Sequence, residues 1–222
     1  MFSCEVRDLG RTPYAEAFEL QRSLVDQRKR GEIPNQLLFV EHPHVITIGR
    51  NGHMEHLLAG EDVLSRAGIE FHETDRGGDI TYHGPGQIVG YPIFDLREWK
   101  RDVGKYVRVM EQAIIDTLAE FSIEAGRVEK ATGVWVRDAK IAAIGVHISR
   151  WVTSHGFALN VSTDLRYFQY IVPCGLSKPV TSMRSLGCEA SREDVQRTLA
   201  RQFAAHFDLE VQYAALLMER LT

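Results

Sequence analysis

Helical and strand-like segments are interspersed along this chain of 222 residues, but without the strict alternation that a parallel βαβ sheet requires. Runs rich in β-branched and aromatic residues, which are typical of strands, are QLLFV, VITIG, IEFHET, GVWV, KIAAIGVHIS, HGFALNV and LEVQY. Four helices are predicted: one with Thr12 as N-cap and Pro13 in its first turn, closed by Gly31, one around Glu61–Ala67, one over Asp102–Phe121, and one capped by Ser191 that runs to about Phe207. This order predicts an α+β fold, a mixed β-sheet flanked by helices, in a single domain that spans residues 1–222.

The composition argues against several classes of protein. The formal net charge is −4, so no overall basic field attracts nucleic acid. The chain has three cysteines, an odd number, and no C-x-x-C pair: Cys4, Cys174 and Cys188. This count disfavours a disulfide framework or a structural zinc site, and it favours a reducing compartment. The N-terminal residues lack the apolar stretch of a signal peptide, and the apolar runs are far too short to span a bilayer. We expect a soluble cytoplasmic protein.

The segment RGGDITYHGPGQIVG contains five glycines within fifteen residues: Gly77, Gly78, Gly84, Gly86 and Gly90. Glycine lowers stability unless the backbone bends sharply or must approach another group closely. Two interpretations are open from the composition. The segment is either a loop along which a ligand lies, with an arginine at its mouth and a histidine in its middle, or a pair of structural hairpin turns. Its spacing matches neither G-x-G-x-x-G nor a P-loop.

Two further residues are candidates for chemistry. Cys174 stands between a proline and a glycine, where a turn would expose its thiol, although a single cysteine is more often a small buried apolar residue. Lys140 interrupts an apolar segment, where a lysine usually ends a strand with its ammonium group in water. If it lies beside a thiol instead, it lowers the pKa of that thiol and exchanges its proton. The sequence pattern alone does not choose between these interpretations.

Four histidines precede or adjoin the second predicted strand: His42, His44, His53 and His56. Their spacing fits no zinc template, so we expect no metal site and place these histidines in surface loops. Cys188 lies in a polar stretch and is interpreted as incidental. His155 either lines a pocket or satisfies the end of a strand.

Three segments together resemble the lipoyl(octanoyl) transferase family: RGGDITYHGPGQIVGYPIFDL, KIAAIGVHISRWVTSHGFALNV and IVPCGLSKPVTS. They occur in the family's order, and the resemblance extends from about Glu41 to Ser185. A fourth segment, EHPHVITIGR, resembles the family's strand-turn-strand entry but has His44 where a second proline is expected. The resemblance implies a fold shared with biotin and lipoate protein ligases, a mixed sheet with helices packed on it.

The resemblance also implies roles for individual residues. Cys174 would be the acyl-thioester nucleophile and Lys140 its partner base. The glycines would let the main chain lie along the acyl tail. The walls of the acyl site would consist of Arg76, Gly77, Gly78, Asp79, Ile80, Thr81, Tyr82, His83, Ala143, Ile144, Gly145, Gly156, Phe157 and Ala158.

The implied reaction moves an octanoyl or lipoyl group from acyl carrier protein to a lysine of a lipoyl domain. The implied acceptors are the E2 subunits of 2-oxoacid dehydrogenases and the H protein of glycine cleavage, with neither nucleic acid nor membrane as a partner. No cofactor or metal is expected, because a thioester is already activated. The alternatives are an ATP-dependent lipoate or biotin ligase of the same fold and a non-catalytic protein that binds lipoyl domains. A cysteine hydrolase fits less well, because no His/Asn partner pattern is apparent.

Overall fold

A computed structural model describes residues 1–172 and 178–214 of the chain. The strands are β1 (Phe2–Arg11), β2 (Asn35–Glu41), β3 (Val45–Ile48), β4 (Glu70–Glu73), β5 (Ile80–His83), β6 (Gln87–Ile93), β7 (Gly126–Val128), β8 (Ala131–Val136), β9 (Ala139–Ser149), β10 (Val152–Asn160) and β11 (Leu209–Tyr213). The α-helices are α1 (Tyr14–Lys29), α2 (Glu61–Arg66), α3 (Val103–Glu120) and α4 (Arg192–Phe207). Short 3₁₀ helices cover Met54–His56, Leu165–Tyr170 and Arg184–Leu186.

These strands form two sheets. The larger has eight strands in the order β11-β1-β2-β6-β10-β9-β8-β7, and the smaller has three in the order β4-β3-β5. Strand β1 pairs in parallel with both β2 and β11, whereas the pairs from β2 to β7 are antiparallel. The large sheet is therefore mixed, as the sequence predicts, and the α+β fold class is confirmed.

Each face of the large sheet is covered by helices. Apolar side chains of α3 and α4, such as Met110 and Phe203, pack on one face. The opposite face packs against α1 through Ala17 and Leu24. The small sheet has a separate apolar cluster. This division leaves room for a cavity between α1, the small sheet and the middle strands of the large sheet. Among the described residues, none of the helices is both long and apolar enough to cross a membrane.

The predicted helices are confirmed, with one correction at the start of α1. Pro13 rather than Thr12 occupies the N-cap of this helix. Thr12 directly follows β1, and its hydroxyl donates to the carbonyl of Leu9 at 2.8 Å instead of capping the helix. The cap predicted at Ser191 is present, and Asp102 caps α3 in the same way: both side chains accept from main-chain N–H groups of the first helical turn.

Strand β9 contains a β-bulge that orients one side chain. In its pairing with β8, Val134 is opposite Ala142 and Trp135 is opposite Lys140, so Ile141 is an extra residue on β9. Although Ile141 and Ala142 are consecutive, both pack in the core beneath α3 and α4. Lys140 faces the other side of the sheet and lines the cavity. The bulge thus turns this lysine away from the apolar core.

Candidate active site

A cavity lies between the N-terminus of α1, the loop before β5 together with β5 itself, and the middle of β6, β9 and β10. It brings together most of the predicted site. Lys140 and every predicted substrate-binding residue except Gly77 and Tyr82 line it, and the remaining lining residues are Tyr14, Val89, Tyr91 and His155. Tyr82 is fully buried and points away from the cavity, because alternate residues of β5 face opposite sides. Its hydroxyl hydrogen-bonds to Nδ1 of His44, and its ring stacks on Tyr167.

Small side chains form the floor of this cavity. Ala143 of β9 pairs with Ala158 of β10, which pairs in turn with Val89 of β6. The next row towards the far end contains Gly145 opposite Gly156. Ile144 and Phe157 border the cavity, but their side chains pack with the core beneath α3 and α4. The groove therefore runs over alanines and glycines along β9 and β10.

The loop that begins at Arg76 closes the far end of the floor. The N–H of Gly77 donates to the Val146 carbonyl at 2.9 Å. A Cβ on Gly145 would lie 2.7 Å from the Gly77 carbonyl oxygen, so only glycine admits the loop at this distance. The Arg76 guanidinium is buried and donates to the Thr47 carbonyl and hydroxyl at 2.7 and 2.9 Å. Arg76 thus ties the loop to β3 of the small sheet.

Lys140 is at the opposite end of the cavity from the Arg76 loop. Its Nζ lies 4.8 Å from the centroid of the Trp135 ring. Its main chain forms a parallel bridge with Val180: the Lys140 N–H donates to the Pro179 carbonyl, and the Lys140 carbonyl accepts from Thr181 N–H, both at 2.9 Å. The side chain therefore does not simply end a strand in water.

Cys174 lies outside the described residues. The described residues on either side of it are both attached close to the cavity. On one side, the Val172 N–H donates to the His56 carbonyl at 2.8 Å, and the His56 ring hydrogen-bonds to Asp79, which lines the cavity. On the other side, Val180 is bridged to Lys140. Val172 is thus attached beside the Asp79 wall of the cavity, and Val180 is attached beside Lys140.

His83 presents a neutral ring to the cavity, and its tautomer follows from the surrounding network. The Gln87 side chain donates from Nε2 to the Tyr82 carbonyl and to Oδ1 of Asn160, so its Oε1 is the atom that meets His83 Nδ1 at 2.8 Å. Since that oxygen only accepts, Nδ1 carries the proton and Nε2 is left as an acceptor. Burial lowers the pKa of His83 to about 3, which keeps the ring neutral.

The surface location predicted for the early histidines is wrong for His42. This residue is fully buried, and its ring bridges the Thr12 carbonyl and the Tyr91 hydroxyl, each at 2.7 Å. Burial lowers the pKa of His42 to about 4. These partners come from separate parts of the chain, so no local pattern could have revealed them. Within residues 1–172 and 178–214, no cluster of three or more potential ligands could hold a metal ion.

His155 lines the far end of the cavity, which settles its role in favour of the pocket interpretation. It is buried with a left-handed φ of 55°. Its Nε2 lies 2.7 Å from Asp75, and its backbone N–H donates to the Gln21 side chain at 2.9 Å. The hydrogen bond from His155 lowers the pKa of Asp75 to about 2. The left-handed backbone, which non-glycine residues rarely adopt, is thus held by contacts from α1 and from the Arg76 loop.

Three glycines of the motif are explained by packing within the protein, not by an acyl tail as expected. A Cβ on Gly84 would collide with the Tyr82 hydroxyl, and one on Gly90 would collide with the Phe157 ring. Gly86 has a left-handed φ of 79° and lies against Ser162. Of the five glycines, Gly78 lines the cavity. Packing within the protein therefore accounts for Gly84, Gly86 and Gly90, and a ligand along the loop at Gly78 stays a prediction.

Solved structures of similar shape define the class of fold. A structure of lipoate-protein ligase A bound with ATP has a TM-score of 0.80 at 18% identity and covers 97% of this chain and 90% of its own. A biotin protein ligase from Aquifex aeolicus, in complex with biotin and ATP, has a TM-score of 0.57 at 11% identity and covers 93% and 71%. At these identities the likeness shows the architecture alone, which is that of lipoate and biotin protein ligases.

The family follows from sequence relatives. The family model of the lipoyl protein ligase A/B catalytic domain matches residues 13–204, and the chain belongs to this family. An octanoyltransferase of Solibacter usitatus (strain Ellin6076) is 66% identical over 217 residues, which cover 98% of this chain and 99% of that relative. An octanoyltransferase of Koribacter versatilis (strain Ellin345) is 50% identical over 224 residues and covers 98% and 89%. Relatives this similar over nearly the whole length make the chain an acyltransferase.

Proposed function

We propose that this enzyme transfers an octanoyl group from the thioester of acyl carrier protein to a lysine of lipoyl domains, through an acyl thioester on Cys174. The observation that carries the proposal is the position of Lys140. This lysine is at one end of a groove floored by alanines and glycines, and its main chain binds the residues that follow the Cys174 segment. The names of the close relatives support octanoyl as the group transferred, and a related solved structure of an archaeal ligase with its E2 lipoyl domain supports the acceptor class.

In the first half of the reaction, the Cys174 thiolate attacks the carbonyl carbon of the donor thioester. The tetrahedral intermediate collapses with cleavage of the bond to the carrier's sulfur, and the carrier thiol leaves after accepting a proton. Lys140 supports the thiolate by its positive charge and exchanges the proton. An unassisted thiol with a pKa of about 8.5 is only a few per cent thiolate at neutral pH, so this support raises the reactive fraction.

In the second half, the amine of the acceptor lysine attacks the acyl-cysteine. The C–S bond breaks, Cys174 leaves as a thiolate, and the nitrogen loses a proton to form the amide. Lys140 relays that proton. Nε2 of His83 is an acceptor on the cavity wall throughout, because burial keeps its ring neutral. The groove holds the acyl tail while donor and acceptor exchange places.

The first prediction is that transfer needs no nucleotide. With octanoyl-acyl carrier protein and an unmodified lipoyl domain, we expect the enzyme to form octanoyl-lysine in the absence of ATP and magnesium, because a thioester is already activated. The measurement is the intact mass of the acceptor after incubation with nucleotide-free enzyme. Free octanoate with ATP is the control and should give no product. Dependence of the thioester reaction on ATP would instead support a ligase.

The second prediction concerns the floor of the groove. Each buried methylene contributes about 0.8 kcal/mol, so a hexanoyl donor should have a kcat/KM lower than that of octanoyl by roughly an order of magnitude. Ala143→Leu fills the groove, and overpacking of about 1–3 kcal/mol should slow the octanoyl donor by roughly 5- to 160-fold. The optimum then moves to shorter chains.

The measurement for this second prediction is kcat/KM over donors of four to sixteen carbons on one carrier protein. Thermal unfolding shows whether Ala143→Leu is folded, and the butanoyl donor, which has the shortest tail, should lose the least. A parallel loss with all donors would contradict the assignment of Ala143 to the acyl floor.

A further inference from the structure

Trp135 is placed where it contacts the proposed base without contacting the acyl groove. It pairs with Lys140 across β8 and β9, on the far side of the bulge from Ala142. Trp135 is 3% exposed, and the Lys140 Nζ lies 4.8 Å from its ring centroid. A lysine ammonium within about 6 Å of a tryptophan ring is attracted by the negative face of the ring. The geometry therefore provides an electrostatic contact between the two.

Strand β8 leaves room for the Lys140 side chain next to Trp135. Gly133 has a φ of 125°, and a Cβ there would be 3.4 Å from the Lys140 Cε and closer still to the Ala142 carbonyl. The Gly133 N–H donates at 3.0 Å to Glu111, a buried carboxylate on α3. The aliphatic stem of Lys140 thus passes over a glycine that a buried charge holds in place, and its ammonium ends over the Trp135 ring.

We propose that Trp135 is a positioning residue that holds the Lys140 ammonium at the rim of the acyl groove through a cation–π interaction. The inference rests on the proposed function, in which Lys140 supports the Cys174 thiolate and relays protons. A lysine side chain has four rotatable bonds, and an ammonium that is free to leave the rim spends less time near the thiol. The ring restricts the Lys140 ammonium without neutralising its charge, whereas a carboxylate partner would neutralise it.

A second cation adjoins the same ring. The Nζ of Lys178 lies 5.1 Å from its centroid, and Lys178 is exposed, three residues after Gly175. A variant of Lys178 therefore distinguishes whether the Trp135 ring acts through Lys140 or through Lys178. If Trp135 acts through Lys140, weakening the ring should affect the reaction whether or not Lys178 carries a charge.

The test weakens the ring electrostatically without changing its shape. Tryptophan is replaced during expression by mono-, di- and trifluorinated tryptophan, since each fluorine withdraws electron density from the ring face. We expect kcat for octanoyl transfer to fall stepwise, by roughly 2- to 30-fold in total, with the KM for the donor unchanged. Along the same series, the pH profile of Cys174 alkylation should move to higher pH.

Controls assign the effect to one tryptophan and one lysine. Trp99 and Trp151 are fluorinated as well, so the series is repeated in Trp135→Phe, where the trend should disappear. It should persist in Lys178→Met, and a trend lost there would show that the ring acts through Lys178. A flat kcat in the original sequence would overturn the inference.

A readout independent of catalysis separates this inference from the proposed function. The ring current of Trp135 should shift the NMR signals of the Lys140 ε-methylene group upfield, and Trp135→Leu should abolish that shift. If the shift is present but no octanoyl transfer occurs, the contact stands and the proposed function fails. If transfer occurs and the shift is absent, the inference alone fails.

Discussion

Cys174→Ser is expected to abolish octanoyl transfer, with a loss in kcat on the order of 10⁴-fold or more, the scale on which nucleophile removal acts in other covalent catalysts. A serine hydroxyl is almost fully protonated at neutral pH, and the positive charge of a lysine does not change this enough to restore attack on a thioester. Incubation of the unchanged enzyme with octanoyl-acyl carrier protein should add one octanoyl group to Cys174. Intact mass followed by peptide mapping measures it.

The other two cysteines are matched controls for this experiment. Cys4 is fully buried in the core, and burial raises the pKa of its thiol to about 12, so it stays protonated. Cys188 is partly buried and packs against the core beneath α3 and α4. Cys188→Ser should therefore retain both adduct and activity. An octanoyl adduct on Cys188 or Cys4 would overturn the assignment of the nucleophile.

Lys140→Ala is expected to reduce kcat by roughly 10²- to 10⁴-fold, the usual contribution of a positioned acid–base group. It should also raise the pKa that governs alkylation of Cys174 by about one to two units, because a nearby positive charge stabilises the thiolate. Without the ammonium, a higher pH is needed to form the same fraction of Cys174 thiolate. The measurements are iodoacetamide alkylation rates and kcat, both across pH.

Lys140→Arg separates charge from proton transfer. Arginine keeps the positive charge but does not deprotonate in proteins, so alkylation should recover while turnover remains low. Lys178→Met is the matched control, since it removes a lysine on the same ring and outside the groove. Identical alkylation profiles for Lys140→Ala and the unchanged enzyme would show that Lys140 does not act on Cys174.

The helices and most strands could be predicted from local sequence because their signals are local. Ser191, for example, caps α4 with its side chain, as its position before the apolar pattern predicts. Strand β1 was not predicted, since FSCEVRDLGR alternates weakly and is stabilised by parallel neighbours distant in sequence, β2 and β11. Strand β7 has only three residues, too few for a periodic signal.

The candidate site could be predicted in part for the same reason. The resemblance identified residues carried by continuous motifs, such as His83 and Gly78. It did not indicate Tyr14, which enters the cavity wall from α1 outside the quoted segments. Val89 and Tyr91 lie within a quoted segment, but only the packing of β6 in the large sheet shows that they line the cavity. The assignment of roles to all of these residues, and of the whole chain to one catalytic domain, remains a prediction.

The bulge at Ile141 decides which face of the sheet receives the lysine. In a regular strand Lys140 and Ala142 would lie on the same face, because side chains alternate with a period of two. That face is the apolar core, where an unpaired ammonium is strongly disfavoured. Loss of the bulge without a change in chain length would therefore remove the base from the groove without altering a single amino-acid type in the site. Deletion of Ile141 would also restore regular pairing between β8 and β9, but it would leave Lys140 on the cavity face and Ala142 on the core face. Relatives that keep the lysine and the full length of this strand should therefore share the bulge, whereas a relative with a one-residue gap at Ile141 keeps the lysine in the groove without it.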